Sequence, residues 1–269
     1  EPVKSKVDYI IAFLESIVGA NALSGGQKTI IDRCTKIIFE DYEKSNFTDD
    51  SLLPTLPSFY DMLLKQPEEE AKDLALIIER YVKGSMDLFS KKTNIDIQNR
   101  LVSFDISQLS ASLQTTGYLV VLDHIQNRLA KNKELGKYTW IFIDEFHILL
   151  ANPYSAQYVA NFYKTGRKLN ALNTVISQQI SHLLRSESGK DILSNSEFAL
   201  ILKQKPLDLP SICNIFNISD EESMYVQGDA PTGQGLVVFG SDVIPFTNKV
   251  PKDYLIYQVN NTDSQVQAR

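Results

Sequence analysis

One six-residue segment restricts the fold more than any other. Trp140-Ile141-Phe142-Ile143 is a short apolar run bounded by polar residues, and it ends in two adjacent acids, Asp144-Glu145. A run of this length with β-favouring residues predicts a strand buried on both faces of a parallel sheet. The two carboxylates then fall at the strand's C-terminal end, the edge where open α/β sheets bind their ligands. On this reading Trp140–Ile143 is an interior strand.

The flanking texture agrees. From Arg100 onward, short apolar runs alternate with helical stretches. The pattern predicts strands at 101–106, 138–143, 173–177 and 197–203, with a crossover helix over about 108–131 and another over about 155–168. Strand and helix in this rhythm predict a RecA-like parallel sheet flanked by helices, with right-handed crossovers. The runs 235–239 and 243–247, joined at Gly240-Ser241-Asp242, predict a terminal hairpin, and Ser219-Asp220-Glu221-Glu222 reads as a capping box opening a short helix. The first ninety residues are different. Val7, Ile10, Ile11, Leu14, Ile17 and Val18 recur at helical spacing, Thr29–Tyr42 is a second amphipathic stretch, and two further helices begin near Ser58 and Pro67. The division expected is a helical lobe over 1–95 and the α/β core over 96–269, with a polar, loose tail after Val259.

Composition removes several classes. With 269 residues, 43% hydrophobic and 22% charged, the chain is an ordinary globular α/β size and carries no run long enough to span a bilayer. Its first residue is Glu1, which suggests a piece of a longer protein. Cys34 and Cys213 lie far apart and read as buried thiols; His124, His147 and His182 have no metal-ligand spacing. A net charge of −6 without a basic stripe weighs against a direct grip on nucleic acid.

Chemistry concentrates at the strand ends. Asp144 is placed to hold Mg²⁺ directly or through its waters, and Glu145 to orient and deprotonate an attacking water, the division of labour of a Walker B motif in an ATPase. Thr174-Val175-Ile176-Ser177-Gln178-Gln179 is a second buried strand ending in polar residues. With the first strand as its neighbour, Gln178 would lie beside a γ-phosphate and the lytic water, and its amide could relay phosphate occupancy to the next helix. Gln179 has the weaker claim. Thr165-Gly166-Arg167-Lys168 closes the helix between them. These cations need do no more than offset the helix dipole; alternatively Arg167 reaches a neighbouring subunit's nucleotide.

Two features bear on the other half of such a site. Leu23-Ser24-Gly25-Gly26-Gln27 has the letters of the signature loop of ABC-transporter ATPases, but Gln27 lies 117 positions before Asp144 (144 − 27), far outside that family's spacing. It reads instead as a helix start, with Ser24 as cap and Gly25-Gly26 as turn. No Gly-x-x-x-x-Gly-Lys-Ser/Thr occurs in the chain; the nearest approach, Gly25-Gly26-Gln27-Lys28-Thr29, lacks the glycine spacing and the preceding strand.

Taken in order, these motifs resemble the large ATPases of conjugation and type IV secretion, the CagE/TrbE/VirB family with its TraC-like members. The resemblance runs from about Lys6 to Leu255. It is carried by Asn99–Ile106, Asp144-Glu145-Phe146-His147, Gly166-Arg167-Lys168-Leu169-Asn170, Ser177-Gln178-Gln179-Ile180-Ser181-His182-Leu183-Leu184, where serine stands for the family's threonine, and Gly233-Gln234-Gly235-Leu236. The resemblance implies a motor that uses ATP and Mg²⁺ to drive channel assembly or substrate transfer. It implies an oligomer, plausibly a hexamer with nucleotide between subunits, acting with other secretion-system components at the cytoplasmic face of a bacterial membrane. It also implies that this chain is the C-terminal part of the ATPase core, without the phosphate-loop half and inactive alone. Two other readings stay open: a DNA-translocating coupling protein or FtsK/HerA-like ATPase, and a non-catalytic docking module that uses the region Val7–Phe89 as its contact face.

Overall fold

The computed structural model describes residues 2–19, 21–91, 99–150 and 153–260. The 95/96 division and most of the tail after Val259 lie outside them. The chain forms two compact units, one of residues 1–140, 151–159 and 167–172, the other of 141–150, 160–166 and 173–269.

In the first unit, helices α1 (Pro2–Val18), α2 (Gly25–Lys44), α3 (Leu56–Leu64) and α4 (Glu69–Val82) enclose an apolar core built from the periodic positions of the sequence. Leu14, Ile31, Cys34, Leu63, Leu74 and Ile78 are fully buried there. Ser24 caps α2 in a reciprocal box: its hydroxyl accepts from Gln27 N–H while the Gln27 side chain accepts from Ser24 N–H. Gly25 and Gly26 therefore belong to the first turn of α2 and not to a turn preceding it. Helix α5 (Ala111–Glu134) follows and packs on α1, where Lys6 grips both oxygens of Asp123 at 2.6 Å.

Residues 101–106, expected as a strand, form none. Leu101 is 90% exposed, and the Asp105 carboxylate accepts from Ser107 N–H at 2.9 Å, closing a local turn. A side chain that satisfies the backbone locally competes with a sheet ladder. Phe104 meets the His124 ring edge-on instead of a strand neighbour.

β1 (Thr139–Ile143) and β2 (Ala171–Val175) pair in parallel as a two-stranded sheet. Thr139 N–H donates to Asn170 O, Ile176 N–H to Ile143 O, and Phe146 N–H to Ile176 O. Between the strands run α6 (His147–Leu150), α7 (Pro153–Thr165) and a 3₁₀ turn over Gly166–Leu169. The interior position expected for β1 is not found. Among the described residues β2 is its one strand partner, and although Ile141 is buried, Trp140 and Phe142 are each 61% exposed. Apolar character on both sides of a strand allows burial of both faces but supplies no covering layer.

In the second unit, α8 (Ile180–Leu184) and α9 (Glu187–Ser194) lead to β3 (Phe198–Ile201). α10 (Leu209–Phe216) and α11 (Asp220–Ser223) precede the hairpin of β4 (Gln234–Phe239) and β5 (Asp242–Thr247), and α12 (Leu255–Asn260) ends the described chain. The expected capping box is present, with Ser219 and Glu222 bonding reciprocally. The expected hairpin is present too, with Gly240 at φ +60° in its turn. The expectation for 197–203 as part of the parallel sheet is overturned: β3 runs antiparallel to β4, Phe198 opposite Phe239 and Ile201 opposite Leu236. The hairpin offers this strand an adjacent partner with matching alternation. One face of the three-stranded sheet, with Ala199, Ile201, Leu236 and Val238, packs on Ile212, Ile218 and Val226. The other carries Phe198, Leu200, Phe239 and Ile244, all more than half exposed.

Candidate functional site

The site forms where β1 and β2 end side by side. The backbone turns sharply at Glu145, whose φ of +47° is left-handed. This conformation costs a non-glycine residue roughly 1–2 kcal/mol and is held only where neighbouring contacts impose it. Several contacts do so. Asp144 Oδ1 accepts from Glu145 N–H at 2.9 Å, Phe146 is fully buried, and its N–H donates to Ile176 O at 3.1 Å. The strand therefore ends in a bend that leaves Asp144 exposed and sends the chain into α6.

β2 delivers its polar end to the same place. Gln178 Nε2 donates to Glu145 Oε1 at 2.7 Å, joining the amide and the acid that the sequence placed on neighbouring strands. Ser177 Oγ donates to Gln179 O and steadies the step into α8, so Gln179 caps the helix by backbone position, without a side-chain cap bond. On the other side of Glu145, the Nδ1 atom of His147 lies 3.1 Å from Oε2. The two atoms are close but not aligned as a hydrogen bond, and His147 Nδ1 is buried without a hydrogen-bond partner among the described residues. The His182 ring lies 5.0 Å from that of His147, tilted by 40°. The sequence reading did not assign either histidine a role. Their spacing to Glu145 and Gln178 (two and four residues on) was the available indication, but only the fold shows that they meet.

Arg167 lies exposed in the 3₁₀ turn after α7 and not at the end of a continuous helix, because α7 stops at Thr165. It falls in the first unit, whereas Glu145, Gln178, His147 and His182 fall in the second. Nearby, Tyr163 is pushed up to about 12 by burial. The Asn173 amide donates to Phe162 O at 2.8 Å, tying β2 to α7 within the second unit.

Asp144 suits a hard divalent cation: it is an exposed carboxylate at a strand end beside a second acid. Among the described residues no group of three or more His, Cys, Asp or Glu side chains is placed to hold a metal. Mg²⁺ is compatible with so sparse a site, since it keeps several waters and takes phosphate oxygens with one or two carboxylates. Cys34 is buried in the helical core, which pushes its thiol up, and Cys213 is partly buried. No helix among the described residues is long and apolar enough to cross a membrane.

Comparison with known proteins gives a family and a fold. The family described as the TraG P-loop domain matches residues 36–230, well over half of the chain. No curated protein sequence matches it. Among solved structures, VirB4 of Thermoanaerobacter pseudethanolicus is similar over 94% of this chain and 71% of its own, with a TM-score of 0.78 and 20% identity. The bacterial conjugative coupling protein TrwB, in a truncated form complexed with sulphate, is similar over 91% of this chain and 68% of its own, with a TM-score of 0.53 and 12% identity. At these identities the likeness is one of fold, RecA-like α/β.

Proposed function

This chain belongs to the TraG P-loop domain family, and from that premise we propose that it is the C-terminal part of the ATPase core of a conjugative-transfer or type IV secretion motor. The observation that carries the reading is the hydrogen bond from Gln178 to Glu145, which joins the ends of two adjacent parallel strands with Asp144 beside it. Glu145 is the general base that takes the proton of the attacking water. Gln178 holds the carboxylate in place and, by exchanging this acceptor for a phosphate oxygen, carries occupancy of the site into α8. Asp144 would hold Mg²⁺, which would neutralise charge at the phosphates. Arg167, exposed beyond α7, is the candidate for action on a neighbouring subunit's nucleotide in a hexameric ring. The motor works with other secretion-system components at the inner face of the bacterial membrane, reached through those partners. The proposed division is a helical lobe over 1–95 and the core from residue 96.

The sequence carries no Gly-x-x-x-x-Gly-Lys-Ser/Thr motif, and the reading taken is that it has no phosphate-binding loop of its own. Backbone N–H groups and a lysine supply most of the grip on phosphates in such enzymes. Purified 1–269 therefore binds nucleotide weakly and releases no phosphate on its own; micromolar binding in calorimetry with ATP and Mg²⁺, or sustained phosphate release, would show that a phosphate site exists within it. With a phosphate loop supplied, Glu145→Gln removes only the base and lowers turnover about 10²–10⁴-fold while ATP still binds. Near-normal turnover in that variant would refute the assignment.

A further inference from the structure

Glu145 is gripped on one side only by the interaction described so far. Gln178 occupies Oε1, while Oε2 faces His147 Nδ1 at 3.1 Å. Residues two apart do not face each other on a regular helix. They meet here because the left-handed bend at Glu145 doubles the chain back before α6 begins. Among the described residues the buried Nδ1 of His147 has no hydrogen-bond partner, and Glu145 Oε2 lies 3.1 Å from it. Such contacts are commonly loose without substrate and tighten when it binds. His182 closes the arrangement from α8, four residues after Gln178, its ring 5.0 Å from that of His147. α6 and α8 pack together, and Leu149 and Leu183 are both buried. One histidine thus follows each strand end.

From this geometry we infer that His147 is a positioning residue for Glu145, seated by His182. It donates from Nδ1–H to Oε2 and keeps the carboxylate oriented when Gln178 turns its amide toward another acceptor. The inference rests on the reading of Glu145 as the base, but the contact itself can be tested without turnover.

The chain has three histidines, so long-range ¹H–¹⁵N spectra of the imidazoles can resolve each one. In purified 1–269, His147 is expected as the Nδ1–H tautomer. Glu145→Ala should return it toward the Nε2–H form, and His182→Ala should broaden or shift it, while His124 stays unmoved as a check on folding. A His147 in the Nε2–H form that does not respond to Glu145→Ala overturns the inference. In the ATP-hydrolysing protein that contains this chain, His147→Ala should lower kcat about 10²-fold, the cost of a misplaced reacting group, with nucleotide affinity unchanged. His147→Asn, whose amide can donate from nearly the same point, should recover part of the loss. Intact turnover in Glu145→Gln would remove the base assignment and leave the spectra to judge His147. Loss in Glu145→Gln with no loss in His147→Ala would overturn the positioning role alone.

Discussion

Replacing Gly189 by alanine sets two opposing effects against each other in α9. In an isolated helix the change stabilises, by at most about 1 kcal/mol, because alanine is the better helix former. In this fold the new Cβ would stand 2.2 Å from the carbonyl oxygen of Leu183 and 2.8 Å from its carbonyl carbon and Cα. All three are backbone atoms of α8, so no side chain can swing aside. The glycine is buried, and its N–H donates to Ser186 Oγ at 2.9 Å, the cap bond that starts α9. Overpacking costs about 1–3 kcal/mol, and relief by moving α9 would stretch a cap bond worth about 1 kcal/mol. The clash outweighs the propensity gain, and Gly189→Ala is expected to destabilise the second unit by up to about 2 kcal/mol net. With a urea slope of about 2 kcal/mol/M, the midpoint falls by up to about one molar. Because a two-unit chain need not unfold in one step, urea titration should be paired with hydrogen exchange over residues 180–196. Faster exchange confined to α8 and α9 is the expected pattern. A midpoint that rises, as helix propensity alone requires, would refute the close approach of Gly189 to α8.

Three further outcomes are expected. Leu74→Ala, at a fully buried core position of the helical unit, should cost about 2.7–5 kcal/mol and lower the denaturation midpoint of that unit; a loss under about 1 kcal/mol would mean the site can collapse around the cavity. Ser24→Ala removes one arm of the reciprocal cap on α2 and should cost about 1 kcal/mol, whereas Ser24→Gly should cost only a few tenths. The Ser219 backbone N–H and hydroxyl hold the Glu222 carboxyl below its usual range. The stability it contributes is therefore complete above the ordinary glutamate value and is lost as pH falls through the depressed one. Carboxyl titration by NMR should show Glu222 moving up when Ser219 is replaced by proline, and an unchanged titration would dismiss the cap as its cause.

Local chemistry made part of this protein legible without coordinates. The reciprocal caps at Ser24–Gln27 and Ser219–Glu222 are complete within three residues, so sequence alone determines them. The same holds for the helical positions that bury Leu14, Ile31 and Leu74, and for the apolar run that makes β1 and ends it at Asp144-Glu145. Only tertiary structure decided the rest, because pairing and covering depend on residues distant in the chain. Leu101–Ile106 has a strand's alternation, yet Asp105 closes a turn on Ser107. The strand at Phe198 was read from its residues, but its direction follows from the hairpin that comes more than thirty residues later. Trp140 and Phe142 looked buried because they are apolar; their exposure reflects what lies above that face, which periodicity does not record. The positive φ of Glu145, and with it the meeting of Glu145, Gln178, His147 and His182, exists because two strand ends lie side by side and the buried Phe146 forces the bend between them.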